Sequence, residues 1–210
     1  KFTAIGFCLL FAIANLISVK ASGRFQNILV VILISILLLY IVRGFTSGLI
    51  EVTRFQPFAP NGMQSVFAVA GMVFISYGGV SKVASLAEEI QDASKSLIVG
   101  MFLAFFIVNL LYVLSVFITV GIVEADQLSG SLVPIKLGAQ NTMSTFGIAA
   151  ISLAAFLAFA TTANAGLLSA SRTPLAMSRD GLLPAIFARV NKKFGTPDFS
   201  LFITFMFNST

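Results

Sequence analysis

The side chains that usually carry enzymatic chemistry are scarce in this sequence. Histidine is absent, Cys8 is the only cysteine, and just eight of the 210 residues are Asp or Glu. Histidine is the commonest acid-base catalyst and metal ligand, and one cysteine forms neither an intrachain disulfide nor a cysteine metal cluster. The adjacent Glu88 and Glu89 diverge on a helix, which favours solvated loop anchors over an acid-base pair. We therefore expect a protein that is not an enzyme and needs no cofactor.

The groups best suited to chemistry are backbone atoms at a paired glycine inside a long apolar run. The run holds Phe74, Ile75, Ser76, Tyr77, Gly78 and Gly79 near its middle. Each glycine costs about 1 kcal/mol relative to Ala in a helix interior, and an opened turn exposes polar backbone that lipid cannot satisfy. Transporters with broken helices bind substrate at such points, where half-helix N-termini face carboxylates and freed carbonyls face cations. Close helix packing through Gly78 and Gly79 is the alternative interpretation.

A lysine follows the glycine pair by about one helical turn. A charge at bilayer depth costs about 2.5 to 3.5 kcal/mol on insertion scales, so Lys82 is a candidate for pairing with a substrate carboxylate or for proton coupling. Snorkelling is the alternative, because the long stem of Lys82 reaches toward the membrane rim near Glu89.

Three polar residues, Thr161, Thr162 and Asn164, lie among Ala and Gly late in another apolar run. Their hydroxyl and amide oxygens are candidate ligands for Na⁺ or for water. Hydrogen bonds to their own backbone or to a neighbouring helix are the alternative.

Composition indicates that these residues sit in a membrane. Hydrophobic residues make up 58% of the chain and charged residues 10%, with a mean hydropathy of +1.00, whereas soluble domains carry roughly 25% charged residues. The net charge of +5 comes from Lys and Arg at the ends of apolar runs rather than along one basic face, which argues against nucleic-acid binding.

Five apolar segments are long enough to cross a bilayer, and together they predict one membrane domain. They cover about residues 2–19, 28–50, 64–86, 97–123 and 143–170, and a sixth begins near residue 199. The first, third and fifth breaks hold Lys20, Arg24, Lys95, Arg172, Arg179, Arg189, Lys192 and Lys193, against Arg43, Arg54 and Lys136 in the second and fourth. The positive-inside rule therefore predicts that loops 20–27, 87–96 and 171–198 are cytoplasmic in a multi-pass cell-membrane protein.

Several motifs resemble the amino acid/polyamine/organocation superfamily of permeases, which have a LeuT-like inverted-repeat fold. They are Pro57-Phe58-Ala59-Pro60-Asn61-Gly62, Tyr77-Gly78-Gly79 followed by Ala87-Glu88-Glu89, and Ser169-Ala170-Ser171-Arg172 followed by Ala176-Met177-Ser178-Arg179-Asp180-Gly181-Leu182-Leu183-Pro184 and Gly195-Thr196-Pro197. The resemblance implies that the five segments are helices four to eight of such a permease, with the ninth just begun.

The resemblance further implies that an amino acid is held at residues 74–79, facing a broken first helix that this chain does not contain. We therefore expect the chain to be a fragment that lacks a complete binding site. The chain departs from the family pattern at three points. Ile75 stands where many relatives carry an aromatic gate, and Asp92-Ala93-Ser94-Lys95 lacks the proline that usually comes shortly after the position of Glu89. Residues 28–42 contain no lysine that could replace Na⁺.

The leading hypothesis is a secondary active transporter that moves amino acids by alternating access, coupled to H⁺ or Na⁺, with the lipid bilayer as its other partner. A membrane sensor that binds amino acids on the same fold without transporting them is the alternative.

Overall fold

The structure, a computed structural model, describes residues 19–79, 93–188, 199–200 and 203. Every regular element in these ranges is helical. The α-helices are α1 (Val19–Thr46), α2 (Met63–Ser76), α3 (Ala93–Ile122), α4 (Ala125–Ser129) and α5 (Pro134–Arg179), and two short 3₁₀ helices cover Val52–Phe55 and Ala185–Ala188. Residues 2–18 of the predicted span 2–19, residues 80–86 of the predicted span 64–86 with Lys82, the Glu88 and Glu89 pair, and most of residues 199–210 lie outside the described residues.

Three of these helices are long and apolar enough to cross a membrane, namely Gly23–Thr46, Lys95–Ile122 and Pro134–Arg179, and a shorter apolar helix covers Met63–Gly79. Their surfaces are strongly apolar; in α3, for example, Phe102, Phe106 and Val113 are each about two-thirds exposed. Exposed apolar side chains at this density suit a hydrocarbon environment rather than water. The predicted all-α membrane fold is confirmed.

Two predicted loops are partly helical, which corrects the boundaries drawn from hydropathy. Residues 20–27 belong to α1, and residues 171–179 belong to α5, which continues through Pro174. Charged and polar residues mark where apolar character ends, but Lys, Arg and Gln among them are good helix formers, so the helix can continue beyond its apolar stretch. At its other end α5 begins at Pro134, nine residues before the predicted span, because proline is well suited to the first helical position.

A kink divides α5 at Ser144, whose φ of 55° and ψ of −141° are not helical. Gly147 faces the kink, and a Cβ at that position would collide with the carbonyl oxygen of Ala139. The missing side chain therefore allows the two parts of α5 to approach each other closely. The kink lies one residue after Met143, where the predicted span begins.

The described residues form two compact units, and residues 32–79 and 93–155 make up the first. Its core joins α1, α3 and α5 through the fully buried Tyr40 and Ile118, together with Ile122, Ala139 and Ile151.

Within this core the Tyr40 and Thr119 hydroxyls share a hydrogen bond of 2.8 Å, while Thr119 also donates to the Ser115 carbonyl. Gly138 of α5 lies directly against the Tyr40 hydroxyl, where a Cβ would collide with it. The buried hydroxyl thus finds both a partner and the space that it needs.

The second unit, residues 19–31, 156–188 and 199–200, shows how α5 ends. The Leu182 amide donates to Met177 O at 2.9 Å and the Gly181 amide to Ser178 O at 3.2 Å, while Gly181 has a φ of 76°. This pair of bonds is a Schellman motif with glycine in the left-handed position. Ser178 Oγ then donates to Pro184 O at 2.8 Å, so the run from Met177 to Pro184 forms a compact helix stop.

Candidate functional site

The α-helical part of the third apolar segment ends at Ser76, immediately before the glycine pair. Residues 77–79 continue as a 3₁₀ turn, and Tyr77 has φ −83° and ψ −1°. A Cβ built at Gly78 or Gly79 meets no heavy atom within 4 Å among the described residues, so this part of the chain shows no close packing that depends on the missing side chains. Phe74 and Ile75, in the last turn of α2, are also open to their surroundings, and each exposes more than three-quarters of its surface.

Tyr77 is tied to α3 by a hydrogen-bonded chain. Its hydroxyl donates to Asn109 Oδ1 at 2.7 Å, and Asn109 Nδ2 donates to the Phe105 carbonyl at 2.8 Å. The Tyr77 and Phe105 rings also touch, with centroids 5.7 Å apart and planes inclined by 52°. Two directional contacts therefore fix the phenol ring at the point where α2 ends.

A cavity of about 700 Å³ opens beside this pair in the first unit. We call it the α2–α3 cavity. It is lined by Arg54, Phe55, Pro57, Phe58, Pro60, Val73, Tyr77, Asn109, Tyr112, Val113, Val116, Phe117 and Val120. The walls are mostly apolar with a few polar groups, which is typical of small-molecule sites of roughly 300–1,000 Å³. Phe74, Ile75, Ser76, Gly78 and Gly79 do not line it.

Arg54 closes one part of this cavity and caps α3. Its guanidinium donates to Glu51 Oε2 at 3.0 Å and to the Ile122 carbonyl, and the Glu51 amide donates to Gly121 O at 2.9 Å. These contacts satisfy carbonyls at the helix end and place a cation where the helix dipole is negative. The hydrogen bond and the charge of Arg54 lower the pKa of the Glu51 carboxyl below its usual value.

The other candidate residues lie in the second unit. Thr161 Oγ1 donates to Leu157 O at 2.9 Å and to Ala158 O at 3.0 Å, and Asn164 Nδ2 donates to Gln26 Oε1 of α1 at 2.6 Å. Thr162 is exposed. The geometry of Thr161 and Asn164 thus shows the backbone and interhelical bonds of the alternative interpretation, and their role in ion coupling stays a prediction.

Asn109 is the residue that the sequence analysis missed. It is the one polar residue in the stretch 97–111 of α3, and an amide at that depth needs a partner. That signal alone marks Asn109 as a candidate, but its partner depends on how α2 packs against α3.

The sequence of this chain is similar to those of known transport proteins. A model of the family described as "Amino acid permease" matches residues 1–210. The chain is 35% identical over 180 residues to the methylthioribose transporter of Bacillus subtilis, covering 85% of this chain and 38% of that protein. It is 31% identical over 198 residues to the branched-chain amino acid permease BcaP of the same organism, covering 93% of this chain and 42% of the permease.

A plant relative gives a similar match. The chain is 32% identical over 173 residues to the chloroplastic cationic amino acid transporter 9 of Arabidopsis thaliana, covering 82% of this chain and 30% of that protein. The chain thus spans well under half the length of the curated relatives it matches.

Proposed function

Because this chain belongs to the amino acid permease family, we propose that it is part of a secondary active transporter that moves amino acids across the cell membrane by alternating access. The proposal includes the LeuT-like inverted-repeat fold, of which the chain would supply helices four to eight and the beginning of the ninth. It also includes coupling to an H⁺ or Na⁺ gradient.

The end of the α-helix at Ser76 is the observation that supports a substrate site at residues 74–79. Residues 77–79 form a 3₁₀ turn there, within an apolar segment, and the Tyr77 amide donates to the Phe74 and Ile75 carbonyls. Polar backbone at membrane depth is stable only where protein or a wet cavity covers it, and a substrate's charged groups make suitable partners there. Of residues 74–79, Tyr77 lines the α2–α3 cavity, which offers space for a ligand beside the end of α2.

The names of the relatives define the substrates to be compared. One is named for a thio-sugar, one for branched-chain amino acids and one for cationic amino acids. We favour an amino acid, because the chain belongs to the amino acid permease family and two of these relatives are named for amino acids.

Uptake by the full-length protein in proteoliposomes tests this function. Labelled L-leucine, L-arginine and methylthioribose are supplied separately, each under an imposed H⁺ gradient, an Na⁺ gradient or neither. We expect one amino acid to accumulate and one gradient to drive it. Accumulation of methylthioribose alone would mean that the substrate is a thio-sugar and not an amino acid. Binding without accumulation under either gradient would favour the sensor alternative.

The proposed orientation gives a prediction about accessibility. In full-length protein in which Cys8 and every other native cysteine are replaced by Ala, Asn61→Cys and Asp180→Cys each place one thiol at an exposed position on opposite predicted sides. We expect a membrane-impermeant maleimide to label the first variant in intact cells and the second only after permeabilisation. The reverse pattern would invert the topology, and labelling of both in intact cells would disprove the assignment of the fifth break to the cytoplasm.

A further inference from the structure

The direction of the hydrogen bonds at Tyr77 is set by the far end of the Asn109 side chain. Asn109 Nδ2 lies 2.8 Å from the Phe105 carbonyl, and only the amide nitrogen can donate to that oxygen. The amide oxygen therefore points to Tyr77, 2.7 Å from its hydroxyl. Since Oδ1 only accepts hydrogen bonds, the phenol must donate its single proton to Asn109.

A phenol whose proton is committed has acceptor lone pairs left and no donor. Tyr77 lines the α2–α3 cavity, and the Phe105 ring restrains its own ring. Any ligand group that approaches the Tyr77 oxygen from the cavity must bring an N–H or O–H of its own. An ammonium group fits this requirement, whereas a carboxylate is repelled by the lone pairs.

We propose that Asn109 is a positioning residue that holds the Tyr77 hydroxyl as a hydrogen-bond acceptor for the ammonium group of the substrate. This inference rests on the proposed amino-acid transport and adds to it the residue that recognises the amine. Asn109 acts through Tyr77 and need not touch the substrate itself. Without the amide oxygen, the phenol proton is free to turn toward the cavity, and the hydroxyl loses its preference for donors.

The test uses the full-length protein in proteoliposomes and the panel amino acid that it accumulates fastest, with the desamino carboxylic acid of that amino acid as competitor. Asn109→Leu removes the amide at similar size. We expect its KM to rise about tenfold, the value of one net hydrogen bond of roughly 1.4 kcal/mol, with kcat changed much less. Discrimination against the desamino acid should fall by a similar factor.

Tyr77→Phe provides a second variant that leaves α3 intact, and it should show the same rise in KM and the same loss of discrimination. In the double variant the two losses of affinity should not add, because both substitutions remove the same hydrogen bond between Tyr77 and Asn109. Asn141→Leu, an amide deletion at an exposed position of α5, serves as the matched control and should leave KM and discrimination unchanged.

Unchanged discrimination in Asn109→Leu, or losses that add in the double variant, would overturn the role of Asn109 while leaving amino-acid transport standing. Failure of the unmodified protein to accumulate any amino acid would instead overturn the proposed function, and this inference with it.

Discussion

Replacing Gly78 or Gly79 with Leu should reduce amino-acid uptake by the full-length protein about 100-fold or more. Leu favours helix by about 1 kcal/mol over Gly and adds a branched side chain beside the turn at residues 77–79. The α-helix is then expected to continue past Ser76, which withdraws the backbone groups proposed to hold the substrate. Misplacing a binding group by about 1 Å can cost about 100-fold in rate. The measurement is initial uptake by reconstituted protein, normalised to the amount inserted.

Gly71→Leu is the matched control, because Gly71 lies in the same helix, is exposed, and also has no described heavy atom within 4 Å of a built Cβ. This variant should insert and transport normally. Normal uptake by Gly78→Leu and Gly79→Leu would show that the glycines are not needed for the site. Equal loss in all three variants would indicate a general effect of leucine on α2 rather than one at the helix end.

Replacing Gly138 with Ala should destabilise the first unit, although Ala favours a helix. Even this single methyl group would collide with the Tyr40 hydroxyl, which is fully buried and bonded to Thr119. Overpacking of a tight core costs about 1–3 kcal/mol, and loss of the hydroxyl pair adds about 1 kcal/mol. Thermal unfolding of the purified protein in detergent measures the change as a lower Tm.

Two further variants separate this clash from other effects of the substitution. Gly71→Ala has open space around it, so the same change there should be neutral or stabilising by up to about 1 kcal/mol. Tyr40→Phe removes the oxygen that the methyl group meets, so Tyr40→Phe combined with Gly138→Ala should lose less stability than the two single losses together. Additive losses would mean that the contact between Gly138 and Tyr40 does not limit stability.

Segment length was enough to predict much of the fold. Apolar runs of about 20 residues marked three helices because lipid leaves the backbone no other partners, and residues 28–46, 97–122 and 145–170 are helical, the last of them beyond the kink at Ser144. The α-helix of the third segment ends at Ser76, just before Tyr77 and the paired glycine, and a break at the glycines stays a prediction. The length of an apolar run is a local signal, so it needs no knowledge of how helices pack.

Features that depend on packing could not be predicted in the same way. The pairing of Tyr77 with Asn109 joins residues 32 positions apart and requires the register of α2 against α3. The space that Gly138 leaves for Tyr40 joins α1 to α5. The boundaries of α1 and α5 were missed for another reason, because hydropathy reports the apolar stretch and a helix can continue into water.

The contacts of Arg54 limit how far α2 can move. They fasten the chain to the end of α3 just before it leads into α2, and only residues 56–62 separate Arg54 and Phe55 from the start of α2 at Met63. At about 3.5 Å per extended residue, the loop of residues 56–62 reaches at most about 25 Å. If α2 rocks relative to α1 and α3, its largest displacement would therefore be limited by the length of one short loop rather than by the packing of the helices.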